Sequence, residues 1–226
     1  MTRSKKMYHV VIDFEMNEIL KEFEAERKLS SYEIIEIGAV ILNDNYEEIS
    51  EYKTYVKPQI NEILPQYVEF TGITNEMVLC SPVFCEVLPL FIDWIYSNCG
   101  DDYKIYSWSL SDYHQIKNES KLKNSADDRV SEMLSKWVDF QKDFGKIIGA
   151  KKRVSLKDAV FYVGNDFEGQ MHDALCDARN TGLLLKLSQN KEEFQRILAP
   201  LIKAYKPKEN MTFSMGDLFS NIKISE

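Results

Sequence analysis

Met7-Tyr8-His9-Val10-Val11-Ile12-Asp13-Phe14-Glu15 is a short, β-branched, apolar run that ends in two acids. Its length and composition predict a buried strand. Alternation along a strand sends the side chains of Asp13 and Glu15 to the same face. Two carboxylates side by side there repel each other, and they are costly to keep ionised unless a cation lies between them. Taken alone, the pair is weak evidence for such a cation, because a solvated strand end accounts for most pairs of this kind. Outward from it, Glu33-Ile34-Ile35-Glu36-Ile37-Gly38-Ala39-Val40-Ile41-Leu42 reads as a second strand, and Asn43-Asp44-Asn45 as a turn. Residues Ile49 to Lys57 read as a third strand closed by Pro58. The three predict an antiparallel meander. It is interrupted by the Glu- and Lys-rich segment Asn17 to Ser31, an insertion that forms either a surface helix or a mobile loop.

Beyond the meander the pattern changes. Residues Pro65 to Val78 predict short helical turns around Thr71-Gly72-Ile73-Thr74, and Val83 to Ser97 carries apolar residues at helical spacing. Asp102 to Trp108 predicts a fourth strand, and Ser111 to Lys121 a helix with Ser111 as its N-cap. Lys136 to Phe140 predicts a short fifth strand. Ser155-Leu156-Lys157-Asp158 resembles a capping box with Asp in place of Glu, opening a helix that Gly164-Asn165 ends. Further helices are expected over His172 to Leu187 and Glu192 to Ala204. Strands first, then strands alternating with helices, imply an α/β chain: a mixed five-stranded sheet flanked by helices. One domain is expected over residues 1–206, with an insertion at about 17–32, followed by a tail over 207–226. That tail, Met211-Thr212-Phe213-Ser214-Met215 onward, either packs on the domain or docks a protein partner.

The chain has 226 residues, enough for one domain with a substantial core. No stretch is long and apolar enough to span a bilayer, and the basic N-terminus does not read as a secretory signal. A cytoplasmic location and no membrane partner are expected. The net charge of −8 argues against high-affinity duplex binding, which draws on Lys and Arg. It does not argue against a metal-dependent site acting on phosphates, because bound divalent cations reverse the local sign of a carboxylate cluster. Cys80, Cys85, Cys99 and Cys176 form no CxxC pair, and reduced, mostly buried thiols are expected.

Two further segments carry acids. Asp112 opens the helix after the fourth strand, where the helix dipole favours a carboxylate. If the first and fourth strands are neighbours, Asp112 emerges near Asp13. In His172-Asp173-Ala174-Leu175-Cys176-Asp177-Ala178, the residues Ala174, Ala178 and Gly182 repeat every four positions as one small-residue ridge. Such a ridge lets a helix approach a sheet closely and brings Asp177 with it. His172 lies five positions before Asp177, off its helical face, and reaches the same cleft only from the helix start or before it. Alone, it also reads as a helix-start histidine bonded to backbone. Hydrolysis of a phosphodiester needs an activated water and stabilisation of developing negative charge. Two divalent cations about 4 Å apart supply both. Mg²⁺ takes hard oxygen ligands, and histidine suits the general base because its pKa lies near working pH.

Asp13-Phe14-Glu15, Trp108-Ser109-Leu110-Ser111-Asp112 and His172-Asp173-Ala174-Leu175-Cys176-Asp177-Ala178 together resemble the DEDDh exonucleases, which have an RNase H-like fold. Glu33 to Val40 and Thr71-Gly72-Ile73-Thr74 are also similar to that family's signatures. The chain is most similar to the branch containing bacterial KapD-type sporulation inhibitors and eukaryotic histone-mRNA 3′ exonucleases. The resemblance implies a 3′→5′ exonuclease acting on the 3′ end of single-stranded RNA or DNA, with RNA favoured, that releases nucleoside 5′-monophosphates. It implies that Asp13, Glu15, Asp112 and Asp177 hold two Mg²⁺ or Mn²⁺ ions and that His172 is the general base. It further implies that Phe14, Met16, Thr71 and Trp108 line the terminal nucleotide's pocket and that Ile73 wedges against the last base. Ser109 stands where the family often has Gly. The alternatives are a DNA-trimming or proofreading exonuclease, and a non-catalytic nucleic-acid or protein-binding module on the same fold.

Overall fold

The structure, a computed structural model, describes residues 6–125 and 127–205, and of residues 204 and 205 the backbone only. The expected tail lies outside the described residues. Strands β1 (Tyr8–Glu18), β2 (Tyr32–Leu42), β3 (Glu48–Tyr55), β4 (Tyr103–Ser107) and β5 (Trp137–Asp139) form one sheet in the order β3-β2-β1-β4-β5. β1, β2 and β3 are the antiparallel meander, while β4 and β5 run parallel to β1. The helices are α1 (Glu24–Arg27), α2 (Pro65–Thr71), α3 (Asn75–Val78), α4 (Phe84–Cys99), α5 (Ser111–Leu122), α6 (Arg129–Ser135), α7 (Phe140–Ile148), α8 (Leu156–Tyr162), α9 (Ala174–Leu187) and α10 (Lys191–Tyr205).

Residue parity in β1 sorts the core into two layers. Val10, Ile12 and Phe14 pack with Phe84, Leu88, Phe91 and Ile92 of α4 and with Ile116 of α5. Val11 faces the other way, with Val40, into α7–α10, where Phe144, Val160, Ala178 and Phe194 meet it. Asp13 and Glu15 share the parity of Val11, so they project towards α9, as alternation predicts. Register carries that row across the sheet: Asp13 stands opposite Gly38, and Glu15 opposite Glu36.

Several expectations are corrected. The insertion is neither a surface helix throughout nor a mobile loop at its start. β1 continues to Glu18, opposite Tyr32, and only the four-residue α1 follows. Asn17 is buried because its amide donates to the Glu62 carbonyl and its side-chain oxygen accepts from Leu64 N–H, and Ile19 is in the core. Helices α6 and α7, absent from the sequence reading, fill residues 129–148 around β5. Ser111 is the first residue of α5 rather than its cap, and the Ser109 hydroxyl accepts from Ser111 N–H instead. Ser109 has no positive φ, so this turn needs no glycine. Of the four thiols, which are unpaired, Cys80 and Cys85 are exposed rather than buried. Among the described residues no helix is long and apolar enough to cross a membrane.

Candidate active site

The first acids arrive on β1, and parallel pairing with β4 places Asp112 beside them. The β1–β4 ladder ends at the Val11–Tyr106 pair. Beyond it the strand edge is open, and the Phe14 N–H donates to Asp112 Oδ1 at 3.0 Å. Asp112, in the first turn of α5, is thereby held against β1. Asp177 comes from the opposite layer, on the first turn of α9.

A chain of specific contacts seats that helix. α9 starts at Ala174, two residues later than the sequence suggests, because Asp173 is its N-cap and accepts from Cys176 N–H at 3.1 Å. Such a cap is worth about 0.5–2 kcal/mol. Glu36 Oε2 accepts from Ala174 N–H at 2.9 Å. Lys53 ties both carboxylates together, bonding Asp173 and lying 3.3 Å from Glu36 Oε1. Burial pushes Asp173 up, yet Lys53 and the Cys176 N–H outweigh it and hold the carboxyl below its ordinary value. Glu36, Lys53 and Asp173 were not singled out from sequence. The available signal was the row Glu15–Glu36–Tyr55 and Asp13–Gly38–Lys53 across the meander, which needs the strand register to be seen.

His172 therefore precedes the helix, in the left-handed region at φ 63°. That conformation is uncommon for a residue with a Cβ, although His is among those enriched there. It turns the imidazole into the cleft, so that one ligand atom each of Glu15, His172 and Asp177 lie within 4.8 Å of one another. The exposed face of the ring is covered by Phe70 at the end of α2, with centroids 3.6 Å apart and planes 30° apart. Burial lowers the His172 pKa, so the ring is neutral near pH 7 and free to accept a proton.

The acids repel one another in a half-dry setting. Burial, then Asp112 and Asp177, push Asp13 well above the usual carboxylate range. Burial, then Asp177 and Glu36, push Glu15 up to about 9. Burial raises Asp112 to about 7 against the opposing N–H of Phe14, and Asp177 to about 7 against that of His172. Asp177 Oδ1 is buried without a hydrogen-bond partner. A buried, unpartnered carboxylate oxygen among other carboxylates is a costly arrangement that a divalent cation relieves. The all-oxygen donor set suits a hard ion such as Mg²⁺. The residues thus fit a bound divalent metal ion, the kind of cofactor that the family resemblance implies.

A carboxyl whose folded pKa is raised binds its proton more tightly when folded. The resulting stabilisation is complete below the unfolded value near 4 and is lost as pH rises through about 7 for Asp112 and Asp177 and about 9 for Glu15. Each proton held in excess by the folded state makes stability fall by about 1.4 kcal/mol per pH unit. In EDTA the melting temperature is expected to fall steadily from about pH 5 to pH 9, with Mg²⁺ restoring most at the alkaline end. A flat EDTA profile would show that the acids are well solvated.

The residues expected to line a nucleotide pocket are placed differently. Ile73 is only 2% exposed, packed with Ile35, Ile63 and Val78, and leaves no face for a base. Trp108 is a core pillar against Phe140 and Phe144, its Nε1 donating to the Val154 carbonyl. Thr71 is buried, donating to the Tyr67 carbonyl and accepting from Ile73 N–H. The Phe14 ring packs on Phe91, and only its backbone N–H reaches the site. Met16 is half-buried against the same core. An apolar side chain exposed beside His172 is Phe70, at 55%. Sequence reasoning missed it, although it directly precedes the Thr71-Gly72 turn. Gln170 Nε2 contacts the Thr71 carbonyl at 3.5 Å and ties the His172 loop to the end of α2. Phe70→Ala is expected to remove the ring-current shift of the His172 imidazole protons in NMR spectra. The accompanying stability cost is about 0.5–1.5 kcal/mol. Unchanged imidazole resonances would mean that the rings do not stack in solution.

The chain is similar to known proteins in sequence and in fold. The exonuclease family (RNase_T) matches residues 10–185. The 3′-5′ exoribonuclease 1 of Mus musculus is 30% identical over 159 residues, covering 66% of this chain and 44% of that protein. ERI1 exoribonuclease 2 of Homo sapiens is 30% identical over 210 residues, covering 81% of this chain and 29% of that protein. The chain spans less than half the length of both relatives. Among solved structures, the nuclease domain of 3′hExo, a DEDDh family member bound to rAMP, superposes with a TM-score of 0.69 at 24% identity. That superposition covers 84% of this chain and 96% of the other. The five-stranded mixed sheet with flanking helices is thus the RNase H-like fold of the DEDDh nucleases, and the chain belongs to the exonuclease family.

Proposed function

We propose that the chain is a metal-dependent 3′→5′ exonuclease on single-stranded nucleic acid, RNA favoured, releasing nucleoside 5′-monophosphates. The observation that carries this reading is the convergence of Asp13, Glu15, Asp112, Asp177 and His172 from β1, α5, α9 and the loop before α9, with Asp177 Oδ1 left unpartnered. The RNA preference draws support from the exoribonuclease relatives. Asp13, Glu15, Asp112 and Asp177 would hold two Mg²⁺ or Mn²⁺ ions, which when bound supply positive charge to the phosphate oxygens. His172, neutral and held between Phe70 and the acids, takes a proton from the attacking water. An oxygen–phosphorus bond forms at the last phosphodiester, and the bond from phosphorus to the 3′ oxygen of the preceding nucleotide breaks. That 3′ oxygen gains a proton, and the terminal nucleotide leaves carrying the phosphate at its 5′ position. Phe70 offers the exposed ring on which the last base can stack, a contact tolerant of any base.

The test is a time course with 5′-labelled RNA and DNA of equal sequence, in Mg²⁺, in Mn²⁺ and in EDTA. A ladder shortening from the 3′ end, abolished by EDTA and faster on RNA, is expected. Faster shortening of DNA would favour the DNA-trimming reading. No shortening of either strand by folded protein would overturn the exonuclease reading in favour of a binding module.

A further inference from the structure

The chain carries a net charge of −8, yet one groove gathers five cations. Helix α7 ends at Gly149, in the left-handed region at φ 68°, and Ala150 N–H returns to the Gly145 carbonyl at 2.9 Å. This terminus folds the chain back along the helix. Lys151, Lys152 and Arg153 therefore lie beside Lys142 and Lys146 and line one groove of about 510 Å³ with them. Asp143 pairs with Lys146, and Asp139 is occupied in capping α7 through Lys142 N–H. Among the described residues no carboxylate pairs with Lys142, Lys151, Lys152 or Arg153, all four of which remain available to an anion.

The groove is anchored to the end of the sheet that carries the acids. Val154, directly after the basic run, is buried, and its carbonyl accepts from Trp108 Nε1 at 3.1 Å and Gln141 Nε2 at 2.7 Å. Gln141 N–H in turn donates to the Trp108 carbonyl at 2.7 Å. Trp108 follows β4 and precedes Asp112 by four positions, and α7 leaves β5 at the same end, since β4 and β5 are parallel. Several unpaired cations along a groove match a ligand with repeated negative charge, rather than a single nucleotide.

We propose that this groove binds the sugar-phosphate backbone of the single strand on the 5′ side of the nucleotide being removed. The inference rests on the exonuclease reading for its substrate. Each phosphate neutralised on a single strand contributes about 0.7 to the slope of log affinity against log salt.

The test compares the full chain with the triple variant Lys151→Gln, Lys152→Gln, Arg153→Gln. Binding of a fluorescent single-stranded 20-mer is measured in EDTA across a salt titration, so that no hydrolysis is needed. The slope is expected to shrink by about 2 in the variant. Under Mg²⁺, kcat/KM on the 20-mer relative to a dinucleotide, which has no backbone to reach the groove, is expected to fall about tenfold. An unchanged slope and an unchanged ratio in a wild-type chain that cuts would overturn the groove and leave the exonuclease reading standing. Equal losses on both substrates would overturn it too, since the substitutions would then act through the fold. A wild-type chain that binds with a slope sensitive to the triple variant, yet cuts nothing, would support the groove and overturn the exonuclease reading.

Discussion

His172→Asn lowers kcat by about 10²–10⁴-fold, the usual contribution of a positioned general base, with KM little changed. Asn is the informative substitution. His172 sits at φ 63°, a conformation that Asn tolerates and Ala adopts only with strain, so His172→Ala would mix a backbone cost with the loss of the base. The effect is large because nothing nearby can replace the imidazole. The chain has three histidines, and His9, stacked on Tyr46 and bonded to Tyr106, and His114, against Tyr113, stand in other surroundings. The neighbouring acids are committed to holding cations in the proposed mechanism. Thermal unfolding in EDTA should show a loss of no more than about 0.5–1.5 kcal/mol, since among the described residues the imidazole's ring contact is the stack on Phe70. Steady-state rates and melting curves check both halves. A variant that keeps more than about a tenth of the rate would assign proton removal to another group.

The sequence carries the site and the topology unevenly. Asp13 and Glu15 were legible because β alternation is a local rule, and the meander because its turn residues and apolar runs are local too. Asp112 was conditional on β1 and β4 being neighbours, a fact of pairing that no window of sequence contains. The start of α9 is misplaced from sequence because two of the contacts that seat it are distant: Lys53 bonds Asp173 from 120 positions away, and Glu36 accepts from Ala174 N–H from 138 positions away. Helix α7 has apolar residues at Phe140, Phe144, Ile147 and Ile148, a helical spacing. It was overlooked because Asp139 ends β5 and caps α7 at once, leaving no linker to mark the change. Ile73, Thr71 and Trp108 fell inside recognisable motifs, but a motif does not say which of its side chains are exposed. Phe70 had the complementary problem: its role depends on a ring 102 positions away.

Gly38→Ala tests the packing on which the site depends, and a loss of both stability and rate is expected. A Cβ at residue 38 would lie 2.1 Å from the Ala174 carbonyl carbon and 2.2 Å from the Leu175 nitrogen. These are backbone atoms, so no side chain can rotate away, and contact below 3.0 Å is not tolerated. The first turn of α9 must recede by about 1 Å from β2, a displacement that overpacked cores resist at about 1–3 kcal/mol or more. For a chain of this size each kcal/mol corresponds to roughly 2–4 °C in melting temperature, so a fall of about 2–12 °C or more is expected. Recession also stretches the Glu36–Ala174 bond of 2.9 Å and moves Asp177 away from Glu15. A misplacement of about 1 Å at a catalytic group costs about 100-fold in rate. Gly182 provides the contrast, because a Cβ there meets only the Leu42 and Val40 side chains at 3.6 Å and beyond, an ordinary contact. Gly182→Ala should therefore leave melting temperature and rate close to wild type. Equal behaviour of the two variants would mean that α9 is not seated through Gly38, and the close approach that sets Asp177 opposite β1 would need another cause.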